Sequence, residues 1–208
     1  MIEYTTIAEP CEGSVTEKRS EFIAQLFPAE TAEACMQQID AVKAKHHKAR
    51  HNVWAYRLRD GSSRYSDDGE PQGTGGIPVL SVLQKAALED VCCVVTRYFG
   101  GVLLGASGLA RAYSAAAAEG IKNAALLHYC EAHRVQYTIP YADYGKVSYL
   151  LPEFGTVDAG SDFGEHVTLL FDIRTDRFPL LEARLTECFN GKPALEILET
   201  HFAVFAQD

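Results

Sequence analysis

No apolar run in this chain approaches the length of a membrane span, and the opening residues, MIEYTTIAEP, hold neither a basic stretch nor the apolar core that directs secretion. The expectation is a cytoplasmic protein with no membrane partner. Six cysteines, at 11, 35, 92, 93, 130 and 188, form no CxxC pair, so the usual spacing of zinc and dithiol sites is missing. Positive charge is scarce: 19 Lys and Arg face 28 Asp and Glu, a net charge of −9. A surface basic all round is excluded, and nucleic-acid binding would need a local patch. Catalytic signatures are missing as well. The segment Gly105-Ala106-Ser107-Gly108-Leu109 fails GxSxG at Leu109, and no GxxxxGK[ST] loop or HExxH pair occurs. Repeats, low-complexity tracts and coiled-coil heptads are also lacking. These absences weigh against an enzyme and give no reason to expect a cofactor or a metal.

Ordinary globular composition is what remains, with 47% hydrophobic and 23% charged residues, enough for one large core or two small ones in 208 residues. The chain is organised around Val91 to Ser114, VCCVVTRYFGGVLLGASGLARAYS. A β-branched run ends at Arg97-Tyr98-Phe99; glycines at 100, 101, 105 and 108 then lead into a helix former, ARAYSAAAAEG. Strand, glycine-rich turn and helix is the reading. Such a turn either holds an anion on amides at a helix start or is only a tight connection. Cys92 and Cys93, adjacent on the strand, should point to opposite faces, and the cysteines read as buried free thiols.

Upstream, IEYTTI and SEFIAQLF read as two strands separated by turn-like EPCEGS and polar TEKRS. Between Thr31 and Lys45, Ala32, Cys35, Met36, Ile39 and Val42 fall on one helical stripe. The helix runs into KAKHHKARH, the densest basic segment, with Lys43, Lys45, Lys48 and Arg50 among His46, His47 and His51. His47 and His51 have the i, i+4 spacing that can share a metal on a helix, but no third ligand completes a site. The basic segment is either a solvated helix end or a phosphate-contacting patch. NVWAYRL then reads as a strand, and DGSSRYSDDGEPQGTGGIP as a long polar connection carrying Asp67, Asp68 and Glu70 without EF-hand spacing. A helix is expected from Pro78 to Leu88, with Val79, Val82, Leu83 and Ala86 inward.

Past Ala118 the composition changes. LLHYCEAHRVQYTIP reads as a long strand crossing a boundary near Ala125 to Cys130, which divides the chain into domains 1–126 and 127–208. Beyond it come helix (ADYGKVSYLL), strand (FGTVDAG), strand (HVTLLFDI), helix (PLLEARLTECFN) and strand (LEILETHFAVF). The order β-α-β-β-α-β is that of a ferredoxin-like sandwich, and the fold class is α+β. Asp158, Asp162 and Glu165 read as a solvated hairpin rim.

The segments SDDGEPQGTGGIPVL and VVTRYFGGVLLGASGLARAYS together resemble the YigZ/IMPACT family, whose members share DDGEPxGT, RYFGG and LLG followed by GLxRAY. Arg50-His51-Asn52 with Ala55-Tyr56 also fits that pattern. Two departures stand out: Gly75 where the family often has alanine, and Ser107 where it usually has glycine. The motif-bearing region runs from about Lys18 to Ile121, and the remainder looks like the smaller C-terminal domain of bacterial members. The resemblance implies an N-terminal domain with the βαβ-type fold of elongation factor G domain IV and a C-terminal ferredoxin-like domain similar to domain V. It points toward RNA or the ribosome by analogy of fold. Eukaryotic members regulate translation initiation under stress through a further domain outside these motifs, so that pathway does not carry over.

Three functions follow as expectations. In the first, a non-enzymatic module binds RNA, a ribosomal surface or a translation factor, without DNA sequence specificity. Lys48, Arg50, Arg97 and Arg111 then contact phosphates beside His51, amides near Gly100 and Gly101 assist, and Tyr98 and Phe99 offer stacking faces. Gly105, Ser107 and Gly108 complete that anion-binding turn. Against it stand core packing for one aromatic and an ion pair of Arg97 with Asp67 and Asp68. In the second, a small-molecule or phosphate-ester enzyme uses Gly105 to Gly108 as a phosphate loop and the acidic loop for magnesium. The third is a protein-interaction adaptor of translation.

Overall fold

The computed structural model describes residues 3–205, so Ile2, placed in the first strand from sequence, lies outside the described residues. Two compact units divide the chain: Tyr4–Leu127, and residues from His128 onward together with Glu3. Both mix helices and sheets, an α+β architecture. No helix among the described residues is long and apolar enough to cross a membrane.

The first unit is built on a five-stranded antiparallel sheet. Its strands are β2 (Cys11–Glu17), β3 (Ser20–Pro28), β4 (His51–Arg57), β5 (Ser63–Ser66) and β6 (Val91–Tyr98), ordered β2-β3-β6-β4-β5. A short β1 (Glu3–Ile7) precedes them and buries Ile7. Helices α2 (Gly76–Lys85) and α3 (Gly105–Lys122) pack Val79, Leu83, Leu109, Ala112 and Tyr113 on one face against Phe22, Val53, Cys93 and Val95. Helix α1 (Ala32–Lys45) covers the other face, packing Cys35, Ile39 and Val42 against Tyr56, Cys92 and Val94. Central β6 is therefore buried on both faces. That is why its sequence is a continuous apolar run rather than an alternation, and why Cys92 and Cys93 fall into separate cores. Thr31 caps α1, its hydroxyl accepting from the Ala34 amide at 3.1 Å. Helix α3 lies so close on β2 that a Cβ on Gly13 would strike the Gly120 backbone, so glycine at 13 sets that spacing.

Several sequence expectations are corrected. EPCEGS is not a turn: its last residues enter β2, an edge strand with little apolar surface. The acidic connection contains β5, almost wholly exposed and so lacking an alternating pattern. Helix α2 starts at Gly76 and stops at Lys85, rather than running Pro78 to Leu88. Helix α1 ends at Lys45 and His51 lies on β4, so His47 and His51 share no helix face and the helical metal pair does not exist.

The second unit has β7 (Leu126–Ile139), α4 (Tyr141–Leu150), β8 (Val157–Phe163), β9 (Val167–Arg174), α5 (Phe178–Phe189) and β10 (Leu195–Val204). Within it the antiparallel neighbours run β10-β7-β9-β8. Alternate residues Val167, Leu169, Phe171 and Ile173 of β9 share one core with Val147 and Leu150 of α4 and Leu181 and Leu185 of α5. Both helices thus cover the same face of this sheet. Asp158, Asp162 and Glu165 are exposed around the β8–β9 hairpin.

Candidate functional site

Register brings the singled-out residues to one end of the first sheet. His51 at the start of β4 pairs with Arg97 on β6, and Phe22 and Glu21 on β3 pair with Arg97 and Tyr98. The β2–β3 turn, the α1–β4 connection and the loop after β6 therefore all leave the sheet at this end. The acidic loop between β5 and α2 folds across it, with Gly69 beside the His51 ring.

Each carboxylate of that loop is engaged by a different protein group. Asp67 accepts from the amides of Gly73, Gly75 and Gly76 at 2.8, 2.9 and 2.8 Å and so closes the N-terminus of α2. Burial pushes its carboxyl up, but the three amides outweigh burial and hold it below the ordinary value. Asp68, in the left-handed region at φ 47°, meets Lys43 Nζ at 2.8 Å and the Asn52 amide at 2.7 Å. Glu70 turns inward with its side chain 3% exposed; its Oε1 accepts from Arg97 Nη1 at 2.7 Å and from the Tyr113 hydroxyl at 2.8 Å. Burial, followed by the charge of Glu70, raises the Tyr113 phenol and keeps it a donor. His51 Nδ1 lies 2.9 Å from the Asp68 carbonyl, which can only accept, so Nδ1 carries the proton and Nε2 faces Glu70 Oε1 at 3.9 Å.

Arg97 pairs with the acidic loop, through Glu70 rather than through Asp67 or Asp68 as the sequence suggested. Its guanidinium lies between the rings of Phe22 and Phe99, 5.5 and 5.4 Å from their centroids, with the side chain 8% exposed. The charge that sequence offered to an anion is spent inside the protein. Tyr98 is half-buried, its hydroxyl 2.9 Å from His46 Nδ1, whereas Phe99 keeps 45% of its surface exposed. The Gly100 amide donates to Ser20 Oγ at 3.1 Å and is not offered to a ligand. Gly101 and Gly105 take positive φ, 85° and 73°, in the exposed part of the loop. Ser107 is exposed inside the first turn of α3 without positive φ, so the glycine usual in the family is not required there. Gly108 is buried. Arg111 is exposed on α3 and lines a cavity of about 380 Å³ with Val15, Thr16 and Glu17.

Lys48 and Arg50 are both exposed on the α1–β4 connection. Lys45, from the same basic segment, is exposed as well, and so are two cations that sequence reasoning did not select, Lys18 and Arg19. Lys18 and Arg19 form the two-residue turn between β2 and β3, with Glu17 paired to Ser20 and positive φ of 45° and 67°. That geometry belongs to a primed hairpin turn. Gly100 is packed onto it: a Cβ there would run into the Arg19 carbonyl, so the absence of a side chain locks the β6–α3 loop to the basic turn. Lys18, Arg19, Lys45, Lys48 and Arg50 make no ion pair among the described residues. Glu17 and Glu21 are exposed acids at the same end. These cations form a basic rim at the sheet end where the Phe99 ring is exposed, on a chain of net charge −9.

The chain is similar to known proteins over most of its length. Residues 18–121 match the model of the Impact N-terminal domain, and residues 138–192 match a domain of unknown function, DUF1949. The chain is 34% identical over 191 residues to the IMPACT family member YvyE of Bacillus subtilis, covering 91% of this chain and 88% of that protein. It is 30% identical to the family member YigZ of Escherichia coli, covering 88% and 91%. Protein IMPACT of Rattus norvegicus is 32% identical over 44% of this chain and 30% of its own length. A solved crystal structure of a hypothetical protein superposes with a TM-score of 0.61 at 27% identity, covering 96% of this chain and 98% of that one. With its signature glycines and acidic loop gathered at the end of one sheet, this chain belongs to the IMPACT family.

Proposed function

We propose that this protein binds RNA, free or on the ribosome, as a cytoplasmic factor acting in translation, and that the basic end of the first sheet is the contact surface. The observation that carries the reading is that exposed Lys18, Arg19, Lys45, Lys48 and Arg50 all lie at the end of the first sheet where Phe99 is also exposed. Lysine and arginine bind backbone phosphate regardless of sequence, and an exposed ring gives an unpaired base a stacking face. Arg97, Glu70 and His51 form the scaffold beneath. The same reading relates the first unit in fold to domain IV of elongation factor G. It takes the second unit as ferredoxin-like, supported by the order β10-β7-β9-β8 with both helices on one face. The phosphate-ester enzyme finds less support, because the acidic-loop carboxylates already serve Lys43, Arg97 and backbone amides.

A salt series of binding to single-stranded RNA, with ribosome co-sedimentation, tests this. Five phosphate contacts give a log–log slope of about −3 to −4, and replacing Lys48→Glu with Arg50→Glu lowers its magnitude by about 1.4 and weakens low-salt binding about tenfold or more. Absence of binding at low salt would sink the proposal. A second reading, a protein-contact adaptor, is favoured by Val102 and Leu103, the latter 83% exposed. Ribosome association that survives both high salt and the charge reversal would favour it.

A further inference from the structure

His128 and Cys130 lie two residues apart on β7 and therefore on one face of the strand. Glu3 brings a carboxylate to the same place: its Oε2 is 3.3 Å from His128 Nε2, while its Oε1 accepts from Arg174 Nη2 at 3.0 Å. One imidazole nitrogen, the Cys130 sulfur and one carboxylate oxygen all lie within 4.8 Å of one another, within the second unit. We propose that these three side chains bind one zinc ion, with solvent in the fourth position.

Bonds of about 2.0 to 2.3 Å place the ligands of a tetrahedral zinc ion about 3.3 to 3.8 Å apart, so a contraction of about 1 Å closes the site. The donor set selects the metal. A thiolate with an imidazole favours zinc and its borderline neighbours over magnesium or calcium, which take oxygen shells. Arg174 occupies the oxygen of Glu3 that the ion does not need and fixes the carboxylate, the work of an outer-shell partner. Its Nε meets Asp176 Oδ1 at 3.1 Å, which offsets the cation beside the site. Glu3 and His128 keep solvent access while Cys130 is buried, so the ion has a way in and the sulfur is shielded. On binding, the Cys130 S–H bond breaks, a zinc–sulfur bond forms and the proton leaves to solvent. No redox change is involved.

The test uses the full chain, stripped with chelator and titrated with Co²⁺ as a spectroscopic stand-in, then with Zn²⁺. Expected are one equivalent of four-coordinate cobalt with a thiolate charge-transfer band, displacement by Zn²⁺, and no effect of excess Mg²⁺. The band is lost in Cys130→Ser and kept in Cys188→Ser. Affinity falls about tenfold or more in His128→Gln. Absence of a thiolate band in the wild type, its survival in Cys130→Ser, or displacement by Mg²⁺ overturns the site. If Cys130→Ser fails to fold by circular dichroism, His128→Gln decides, since His128 is partly exposed: unchanged affinity overturns the proposal.

Discussion

Glu70 is shielded from water with an arginine and a tyrosine both aimed at one of its oxygens, and this decides what Arg97 can do. Removing one member of a buried ion pair leaves the other desolvated and alone, at a cost of about 3 to 5 kcal/mol. Arg97→Ala should therefore lower stability by that order in urea unfolding. Its RNA affinity, measured where it remains folded, should change by less than about threefold, because a solvent-hidden guanidinium contributes little to phosphate binding. A large affinity loss in a folded Arg97→Ala protein would return Arg97 to the interface. The pH dependence is set by other residues. Burial, then the charge of Lys45, lowers the His46 imidazole, and three amides lower Asp67. For both, the unfolded chain takes up a proton more readily than the native one, so acid favours unfolding. The His46 share is present above its free value of 6.5, diminishes as pH falls from there and is gone below its lowered native value. The Asp67 share is lost further down, below the ordinary carboxylate value of 3.8. Melting temperatures recorded against pH should fall less steeply just below neutrality in His46→Gln than in the wild type.

Among the elements, the loop after β6 depends on the turn between β2 and β3. Gly100→Ala forces a methyl group into the Arg19 carbonyl and should cost about 1 to 3 kcal/mol as overpacking. It should also weaken RNA binding, because the basic turn and Phe99 lose their common support; thermal melts and the RNA titration check both. How much of this was legible in sequence depended on burial. Strand β6 could be read because it is apolar throughout, and α1 because Cys35, Ile39 and Val42 repeat at helical spacing. Edge strands β2 and β5 could not, since Gly13 is the one buried residue of β2 and β5 has none. Lys48 and Arg50 stood out by local charge density. Lys18 and Arg19 did not, because a primed turn normally announces itself with glycine or asparagine and here uses two cations. Glu70 looked like its neighbours Asp67 and Asp68; only tertiary packing sends it inward. Glu3 and His128 are 125 positions apart, so no spacing rule could have joined them.

For the whole molecule, an excess of nine negative charges repels RNA at long range, so the proposed binding requires attraction from within about a Debye length of the basic rim. Another property lies in the arrangement of the first unit. Adjacent thiols on its central strand belong to layers roofed by different helices, Cys92 beneath α1 and Cys93 beneath α2 and α3. They serve as two clocks set side by side on one strand. If α1 detaches as a separate opening event, a thiol-trapping reagent will mark Cys92 in advance of Cys93, and peptide mapping will resolve the order. Equal labelling rates would mean that the layers part together, so neighbouring sulfurs can time the separation of two cores in a protein without disulfides among its described cysteines.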